Sequence, residues 1–289
     1  MKVHDNDGAG FGEAGARPCT LSVVVPTRNE ALNVAPLVAR LRSALSHTAG
    51  GWEVIFVDDS DDTTLEVLER LAEEVGVGGA LRLLHRPSGE RSGGLGGAVR
   101  EGFAMAKGRV VAVMDADLQH PPEVLPALIA PVLSGEADLV AGSRYGWAGA
   151  DAGLSGPWRH LVSGGCRGLV HLLVPDSRPL QDPLSGLFAL RRSLLDGAQL
   201  RPAGYKILLE VTVRARPARV ANMGFNFGQR HAGRSKANLR EGLVFFRHLA
   251  RLVGASRGRR PDRAARPAAV EISVVDLRGK RHLEPVEKR

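Results

Sequence analysis

The sequence predicts an α/β fold, with a mainly parallel sheet flanked by helices. Short apolar runs rich in β-branched residues alternate with amphipathic segments of helical period, which is the pattern of successive βαβ units. The clearest apolar runs are LSVVVP at 21–26, EVIFV at 53–57 and RVVAVM at 109–114. Runs of this kind are typical of strands buried on both faces of a sheet. A chain of 289 residues with 44% hydrophobic residues can form one sizeable domain of this class.

The remaining elements follow from the same two periodicities. Between the strands of the first half we predict helices over 31–45, 62–74 and 95–106, with a further strand, ALRLLH, at 80–85. A helix after Pro122 and a strand in ADLVAGSRY (137–145) complete that half. The second half is less regular: we predict a helix over 158–173, a turn at DPLSG (182–186), a strand at 187–191, a helix near 207–213 and a strand near 220–227.

The two ends of the chain differ from the middle. Residues 1–18 are polar and glycine-rich, and we expect them to be disordered; residues 255–289 are basic and predict a flexible tail. The folded domain is then expected over 19–238, followed by an amphipathic helix over 239–254. One face of that helix is apolar (Leu239, Leu243, Phe246, Ala250, Val253) and another is basic (Arg240, Arg247, Arg251). Such a helix either packs on its own domain or lies in a membrane interface.

Composition narrows the class of protein. No stretch approaches the roughly 18 consecutive apolar residues of a transmembrane helix, and the N-terminal segment lacks the apolar core of a signal peptide, so we expect a cytoplasmic protein. Cys19 and Cys166 are too few and too far apart for a disulfide scaffold and are expected to be reduced.

The net charge of +8 is concentrated in one segment. Residues 228–260 contain nine Lys or Arg and one acidic residue, Glu241. Such a segment suits anionic lipid head groups, phosphates or nucleic acid. Aromatic residues are scarce there apart from Phe245 and Phe246, which weakens the case for stacking on bases.

Polar side chains gather where three of the predicted strands end. They are Pro26, Thr27, Arg28, Asn29 and Glu30 after the first strand, Asp58, Asp59 and Ser60 after the second, and Asp115, Asp117 and Gln119 after the fourth. The carboxyl ends of parallel strands meet at one edge of a sheet, where open α/β folds bind their ligands. Carboxylates there can accept hydrogen bonds from a nucleobase or a ribose. We therefore predict a nucleotide site, although an Asp-rich strand end before Pro121 and Pro122 is also typical of a simple turn and helix cap.

The spacing of Asp115 and Asp117 suggests a metal site. In an extended chain, side chains two residues apart share a face, so both carboxylates could hold one divalent cation against a diphosphate. Gln119 continues the spacing and adds a neutral oxygen. The neighbouring His120 is a candidate base, but a supporting or surface role is the stronger interpretation.

Two further motifs leave alternatives open. The run GGLGGA (93–98) lacks the Lys-Ser/Thr ending of a P-loop and the order of a Rossmann fingerprint, so we interpret it as a flexible turn that opens the helix at Ala98. In DPLSG, Asp182 and Ser185 either contact a sugar or belong to a β-turn capped by the aspartate.

Eight motifs in order resemble one known family. VVVPTRNEALN, VIFVDDSDDTT, GLGGAVREGF, VMDADLQHPPE, ADLVAGSRY, DPLSGLFALRR, GYKILLEV and FGQRHAGRSK are similar to motifs of the polyprenol-phosphate mannosyltransferases (dolichol-phosphate mannose synthases), which are family-2 glycosyltransferases. The resemblance covers about residues 21–252. It implies a glycosyltransferase fold of type A, GDP-mannose as donor and a polyprenyl phosphate as acceptor.

The resemblance also implies roles for individual residues. The nucleoside would be held by Pro26, Arg28, Glu30 and Asp58 or Asp59, and Asp115 would support the diphosphate and ribose. Asp117 and Gln119 would ligate Mg²⁺ or Mn²⁺. Donor and acceptor phosphates would be bound by Arg144, Arg159, Ser163, Arg230 and Lys236. Asp115, Asp117, Arg144 and Arg230 would carry the catalytic step.

The chemistry suits these residues. An acceptor phosphate monoester has a second pKa of about 6, so it is largely a dianion near neutral pH and needs no general base. In-line displacement at the anomeric carbon would invert its configuration. Three features depart from the family: Arg28 stands where an aromatic residue is common, the transmembrane helices of many relatives are missing, and the tail matches nothing known to us.

A lipid acceptor predicts contact with a membrane. We expect the helix over 239–253 to bind the anionic inner face of the membrane as a peripheral anchor, alone or with a separate membrane protein. The alternatives are a transferase that uses a UDP-sugar or a non-lipid acceptor, a basic nucleic-acid-binding protein, and a noncatalytic subunit that recruits a membrane partner. Nucleic acid is not expected as a partner, because that role leaves the acidic strand ends unexplained.

Overall fold

The structure is a computed structural model, and it describes residues 3–4, 19–74, 80–144, 157–228, 239–257, 268–270, 274–275 and 281–282. The helices are α1 (Ala31–Leu45), α2 (Thr64–Glu74), α3 (Gly94–Met105), α4 (Leu125–Leu133), α5 (Pro157–Leu173), α6 (Ile207–Ala215) and α7 (Leu239–Arg257). The strands are β1 (Val3–His4), β2 (Leu21–Thr27), β3 (Trp52–Asp58), β4 (Ala80–His85), β5 (Val110–Val113), β6 (Leu139–Ser143), β7 (Phe188–Arg191), β8 (Arg219–Gly224), β9 (Ala268–Ala269), β10 (Val274–Val275) and β11 (Arg281–His282).

One mixed sheet organises the molecule. Its strand order is β1-β4-β3-β2-β5-β7-β6-β8-β9, and β10 and β11 form a separate two-stranded pair. Strands β2 to β5 pair in parallel, as do β6, β8 and β9, whereas β1 and β7 run antiparallel to their neighbours. The predicted α/β fold with a mainly parallel sheet is confirmed.

The strand order reverses next to β2. From β2 the chain adds β3 and then β4 on one side, and it returns to place β5 on the other side of β2. Crossover helices must then diverge from this point, which leaves a crevice outside the carboxyl ends of β2 and β5. All three acidic segments predicted from the sequence begin at or near this edge.

Alternate residues of the central strands face two different helical layers. Val23 and Val25 of β2 belong to a cluster with residues of α1, α2 and α4, whereas Val24 packs with α3 and α6. The period of two in a strand explains this division, and burial on both faces explains why the strands are continuously apolar.

Helix α7 packs on the domain through a face that the sequence pattern did not identify. Phe245, Leu249 and Leu252 are buried against α5 and α6. Of the predicted apolar face, Phe246 is 52% exposed, Ala250 is exposed and Val253 is partly buried. The side chains of Leu239 and Leu243 lie outside the described part of the helix.

Two local features complete the description. Cys19 and Cys166 are both partly buried free thiols. Within the described ranges, none of the helices combines the length and apolar character that a membrane-spanning segment requires.

Candidate active site

The loops that follow β2 and β3 are joined by hydrogen bonds. Thr27 Oγ1 donates to Asp58 Oδ1 at 3.0 Å, and the backbone N–H of Asn29 donates to Ser60 Oγ at 2.7 Å. The N–H of Glu30 donates to Thr64 Oγ1 at 2.8 Å. These bonds span about 30 residues of sequence, and they hold the two polar strand ends together as one wall of the crevice.

Asp58 is fully buried and is held by several donors. Ser60 Oγ donates to its Oδ1 at 2.5 Å, and the backbone N–H of Ser60 reaches Oδ2 at 3.3 Å. His85 Nδ1 lies 2.8 Å from Oδ2. A carboxylate with this many partners is fixed in orientation, because a buried acceptor is costly to leave unsatisfied.

Asp59 pairs with Arg86, a residue that sequence analysis missed. The guanidinium donates from Nε to Oδ1 at 2.7 Å and from Nη2 to Oδ2 at 2.5 Å, and Arg86 is only 2% exposed. Its Nη2 and Nη1 also donate to the carbonyl oxygens of Gly94 and Ser92. Arg86 therefore ties the end of β3 to the start of α3. The available signal was its position directly after β4, where a polar strand end is expected.

The other residues predicted to hold the nucleoside lie in the same loop. Pro26 is buried in β2, and Arg28 is exposed in the loop directly after that strand. Glu30 accepts a hydrogen bond from Asn33 Nδ2 at 2.5 Å, within the first turn of α1. The structure thus brings Pro26, Arg28 and Glu30 to the same edge of the sheet as Asp58 and Asp59.

The segment after β5 is a turn, which corrects the expectation of an extended chain. The strand ends at Val113, and Leu118 has a left-handed φ of 63°. Asp117 Oδ1 accepts the backbone N–H of Gln119 at 3.0 Å, which is the side-chain-to-backbone bond typical of an Asp in a turn. Asp115 and Asp117 therefore lie in a turn, and strand periodicity does not set the relative orientation of their side chains.

This turn is anchored to the segment that follows β8. Gln119 donates from Nε2 to the carbonyl oxygen of Gly228 at 3.3 Å and accepts the N–H of Gly228 at 2.9 Å. Asp117 is 6% exposed, whereas the side chain of Asp115 is 38% exposed. Asp115 is thus the more accessible of the two carboxylates.

His120 is buried behind Asp115 and does not lie on the surface. Its Nδ1 accepts the backbone N–H of Asp115 at 3.2 Å, and its ring meets Phe225 and Phe227 edge to face. Burial lowers the pKa of His120, against the opposing effect of Asp115 and Asp117. A neutral imidazole in this place supports the turn, as sequence analysis preferred.

Arg144 follows β6 and pairs with Asp182 of the DPLSG turn. The distances are 2.7 Å from Nε to Oδ2 and 3.2 Å from Nη2 to Oδ1, and the guanidinium lies 5.6 Å from the ring centre of Phe227. Asp182 also caps its own turn, since Oδ1 accepts the N–H of Leu184. Ser185 is 4% exposed and bonds to the backbone of Leu187. DPLSG thus forms a turn capped by Asp182, and the same carboxylate orients Arg144. Contact of Asp182 or Ser185 with a sugar stays a prediction.

The same turn contacts two more polar residues. A Cβ added to Gly186 would lie 2.7 Å from Asp115 Oδ2, so the glycine leaves room for that carboxylate. Lys206, just before α6, donates from Nζ to the carbonyl oxygen of Leu184 at 2.7 Å. Residues 182–186 therefore sit between Arg144, Asp115 and Lys206. The motif GYKILLEV contains this lysine, and its role could not be predicted from the sequence.

The run GGLGGA is the first turn of α3, which corrects the expectation of a flexible turn before Ala98. The helix begins at Gly94, and Gly93 and Gly94 have φ of 79° and 59°. A Cβ on Gly97 would collide with the carbonyl oxygen of Ser92. Glycine is needed here because the backbone is left-handed or closely packed.

Four predicted phosphate-binding residues cannot be placed in this site. Arg230 and Lys236 lie outside the described residues. Arg159 and Ser163 lie in α5, but their side chains are likewise not among those described.

The oxygen donors of the β5 turn suit a hard divalent cation. Two carboxylates, Asp115 and Asp117, and the amide of Gln119 lie within five residues, and Mg²⁺ typically binds one or two carboxylates together with substrate phosphates. No cluster of three or more His, Cys, Asp or Glu arranged around a metal position is found among the residues that the structure describes.

Comparison with known proteins identifies the family. Residues 22–195 match the model of the family "Glycosyl transferase family 2". The dolichol-phosphate mannosyltransferase of Pyrococcus furiosus is 37% identical over 237 residues, which is 81% of this chain and 63% of that protein. Those of Mycosarcoma maydis and Saccharomyces cerevisiae are 37% and 36% identical, over 85% and 80% of this chain and 81% and 85% of theirs. The match to the Pyrococcus protein thus spans less than two thirds of that relative.

Solved structures agree on the fold. Glucosyl-3-phosphoglycerate synthase from Mycobacterium tuberculosis, crystallised with Mg²⁺ and uridine diphosphate, superposes with a TM-score of 0.58 at 23% identity, over 93% of this chain and 88% of that one. Its complex with Mn²⁺, UDP-glucose and phosphoglyceric acid gives a TM-score of 0.57. The sheet therefore has the type A glycosyltransferase fold, and the chain belongs to the family-2 glycosyltransferases.

Proposed function

We propose that the protein transfers mannose from GDP-mannose to a polyprenyl phosphate, with inversion, to give a polyprenyl β-mannosyl phosphate. One observation carries the proposal: the acidic ends of β2, β3 and the β5 turn meet the Arg144–Asp182 pair at one edge of the sheet. This arrangement supports a nucleotide site at the carboxylates with a phosphate-binding cation beside it. The choice of mannose as the sugar and of a lipid phosphate as the acceptor is supported by the three relatives named dolichol-phosphate mannosyltransferase.

In this proposal the crevice beside β2 and β3 takes the nucleoside. Pro26, Arg28 and Glu30 line one side, and Asp58 or Asp59 accepts hydrogen bonds from the base or the ribose. The internal hydrogen bonds of Asp58 and the Arg86 pair of Asp59 support this role, because they preorganise the carboxylates before the nucleotide arrives.

The β5 turn takes the diphosphate. Asp117 and Gln119 hold Mg²⁺ or Mn²⁺, and Asp115 supports the diphosphate and ribose. When bound, the cation neutralises charge on the leaving diphosphate. The anchoring of Gln119 to Gly228 and the burial of Asp117 support this assignment, since both residues are held in place by the fold.

The acceptor phosphate is the nucleophile. One of its oxygens attacks the anomeric carbon of mannose while the bond from that carbon to the diphosphate oxygen breaks, so the electron pair leaves with GDP. The dianion needs no base, which agrees with a buried His120 whose pKa is lowered. Arg144, together with Arg159, Ser163, Arg230 and Lys236, binds the phosphates, and Arg144 and Arg230 stabilise the developing charge.

Helix α7 binds the membrane in this proposal, at the cytoplasmic face of an anionic bilayer. Its inner side packs on the domain, whereas Phe246, Arg247 and Arg251 are exposed. An exposed aromatic side chain beside arginines suits a lipid interface. A separate membrane protein that helps to recruit the enzyme stays an alternative.

The purified protein is expected to bind anionic liposomes at low salt, and Phe246→Ser with Arg247→Ser and Arg251→Ser is expected to weaken that binding. Equal binding by wild type and this variant would show that these residues of α7 do not contact the membrane.

The decisive experiment measures transfer of radiolabelled mannose from GDP-mannose into organic-extractable polyprenyl phosphate. We expect transfer to require Mg²⁺ or Mn²⁺ and to be abolished by Asp117→Ala, whereas Asp196→Ala, an exposed change in the loop after β7, leaves it intact. If wild type is inactive with GDP-mannose but active with a UDP-sugar, the donor is wrong and the site assignment stands. If Asp117→Ala retains full activity, the metal assignment fails.

A further inference from the structure

Lys206 occupies a place in the site that the proposed roles leave unexplained. It is partly buried just before α6, its Nζ donates to the carbonyl oxygen of Leu184 at 2.7 Å, and it lies 4.6 Å from the ring centre of Tyr205. Leu184 belongs to the turn that also holds Arg144, through Asp182, and abuts Asp115, through Gly186. Two cations are thus anchored on one five-residue turn beside the accessible carboxylate of Asp115.

A lysine ammonium is costly to bury without a full set of hydrogen-bonding or charged partners. Burial lowers the pKa of Lys206 to about 8; Arg144 adds to this effect, whereas Asp182, Asp115 and Cys166 oppose it. These charged and titratable groups, with Tyr205, surround the ammonium. An anionic ligand beside this ammonium would favour its charged form and offset the free-energy cost of its burial.

The loop that carries Lys206 rests on the glycine run at the start of α3. The N–H of Gly96 donates to the carbonyl oxygen of Gly204 at 2.7 Å. A Cβ on Gly96 would lie 2.8 Å from Pro202 Cβ and 3.0 Å from Gly204 O, and one on Gly93 would lie 3.1 Å from Pro202 O. The run therefore lets residues 202–204 approach the helix backbone closely. A larger residue at 96 would push this loop away, and one at 93 would also have to adopt a left-handed φ.

We propose that Lys206 is a phosphate-binding residue of the transferase. Gly93 and Gly96 position its loop, because they allow residues 202–204 to pack closely on the start of α3. The ligand is a phosphate oxygen, supplied either by the donor diphosphate or by the acceptor phosphate. This inference rests on the proposed function, since it takes the turn at 182–186 to border the substrate phosphates. Gly96 is a positioning residue, because it acts through the 202–204 loop.

The test compares ligand affinities in the full-length chain. Wild type and Lys206→Met are titrated with GDP and with UDP in the presence of Mg²⁺, and then with farnesyl phosphate on top of the bound nucleotide. A charge-assisted hydrogen bond corresponds to a loss of about 10- to 100-fold in affinity. We expect that loss in only one of the two titrations. Weaker nucleotide binding would show that Lys206 binds the donor diphosphate, and weaker farnesyl phosphate binding would show that it binds the acceptor phosphate. Lys107→Met, an exposed change just after α3, is the matched control.

The outcomes separate this inference from the proposed function. Unchanged affinities in Lys206→Met, with wild type binding the probes, overturn the role of Lys206 alone. A wild type that binds neither nucleotide nor farnesyl phosphate overturns the proposed function, and the inference with it.

Two further measurements exclude a merely structural role. In wild type, affinity in the sensitive titration is expected to fall as pH rises through about 8, whereas Lys206→Arg keeps its charge and is expected to lose this dependence. Gly96→Ala is expected to weaken binding in the same titration, and to add little when combined with Lys206→Met, because both changes remove one interaction. A pH profile that is the same in Lys206→Arg, or fully additive losses, would contradict the proposal.

Discussion

Arg144 and Asp182, which are 38 residues apart in sequence, form an ion pair with two parallel hydrogen bonds of 2.7 and 3.2 Å. Asp182 is 2% exposed, and the side chain of Arg144 is 18% exposed. This geometry fixes the plane of the guanidinium, as bidentate pairing does. The aspartate of DPLSG therefore positions a cation of the site.

Removing this aspartate is expected to reduce both stability and transfer. Asp182→Ala removes the carboxylate that pairs with a partly buried guanidinium, and we expect a loss of about 3 kcal/mol in the free energy of unfolding. Transfer should fall at least about tenfold, because Arg144 is no longer oriented. Urea unfolding and the mannose transfer assay measure the two effects.

The control for Asp182 is an exposed pair of the same type. Arg192 and Asp196 lie 4.0 Å apart, with side chains 44% and 68% exposed, so Asp196→Ala is expected to cost less than about 0.5 kcal/mol. Equal costs for Asp182→Ala and Asp196→Ala would show that the buried pair is not structurally important.

A methyl group on Gly97 is expected to destabilise the fold. The added Cβ would collide with the backbone oxygen of Ser92 and lie 3.0 Å from Arg86 Nη1. Because a backbone atom cannot move aside cheaply, we expect Gly97→Ala to lower the free energy of unfolding by about 3 kcal/mol. Gly89→Ala has nothing within 4 Å of its Cβ and should change it by no more than about 0.5 kcal/mol. A fully stable Gly97→Ala would rule out the close approach.

Gly186→Ala is expected to impair function more than stability. Its Cβ would meet Asp115 Oδ2 at 2.7 Å, and a carboxylate at the end of a side chain can rotate away. The melting temperature should therefore change little, while displacement of Asp115 should lower transfer at least about tenfold. Gly168→Ala in α5 has open space around its Cβ and serves as the control. Full activity in Gly186→Ala would mean that the position of Asp115 is not critical.

Stability is expected to fall at acidic pH through His248. This residue of α7 is buried, with Nε2 3.5 Å from Glu210 Oε2 of α6. Burial is the main reason that its pKa lies below the ordinary value of 6.5; Glu210 opposes this effect, and Arg251 and Arg214 add to it. The folded state therefore binds fewer protons than the unfolded state, so stability is present above about pH 6.5 and is lost as pH falls below it.

Replacing the imidazole tests this prediction. Between pH 7.5 and 5.5, wild type is expected to lose more unfolding free energy than His248→Gln, whereas His47→Gln, at an exposed position after α1, should behave as wild type. The same loss in His248→Gln as in wild type would assign the acid sensitivity to other groups.

The fold was largely predictable because its signals are local. The bounds of α1 and the approximate bounds of the central strands follow from periodicity, which each segment expresses on its own. The acidic strand ends were recognised for the same reason, since polar residues directly after an apolar run mark the edge of a parallel sheet. The turn at 115–120 was left open as an alternative to an extended chain; its left-handed residue could not be predicted, because Leu118 gives no sequence signal of the kind that glycine gives.

The amino-acid sequence by itself determined the α/β fold, the edge at which the polar strand ends meet, and, through its ordered motifs, the family. Tertiary structure alone decided which charges pair: Asp59 with Arg86, Asp182 with Arg144, and Lys206 with the Leu184 carbonyl. It also decided which side of α7 is buried. The physical reason is that strands and helices arise from interactions within a segment, whereas ion pairs and packing faces depend on contacts between distant segments.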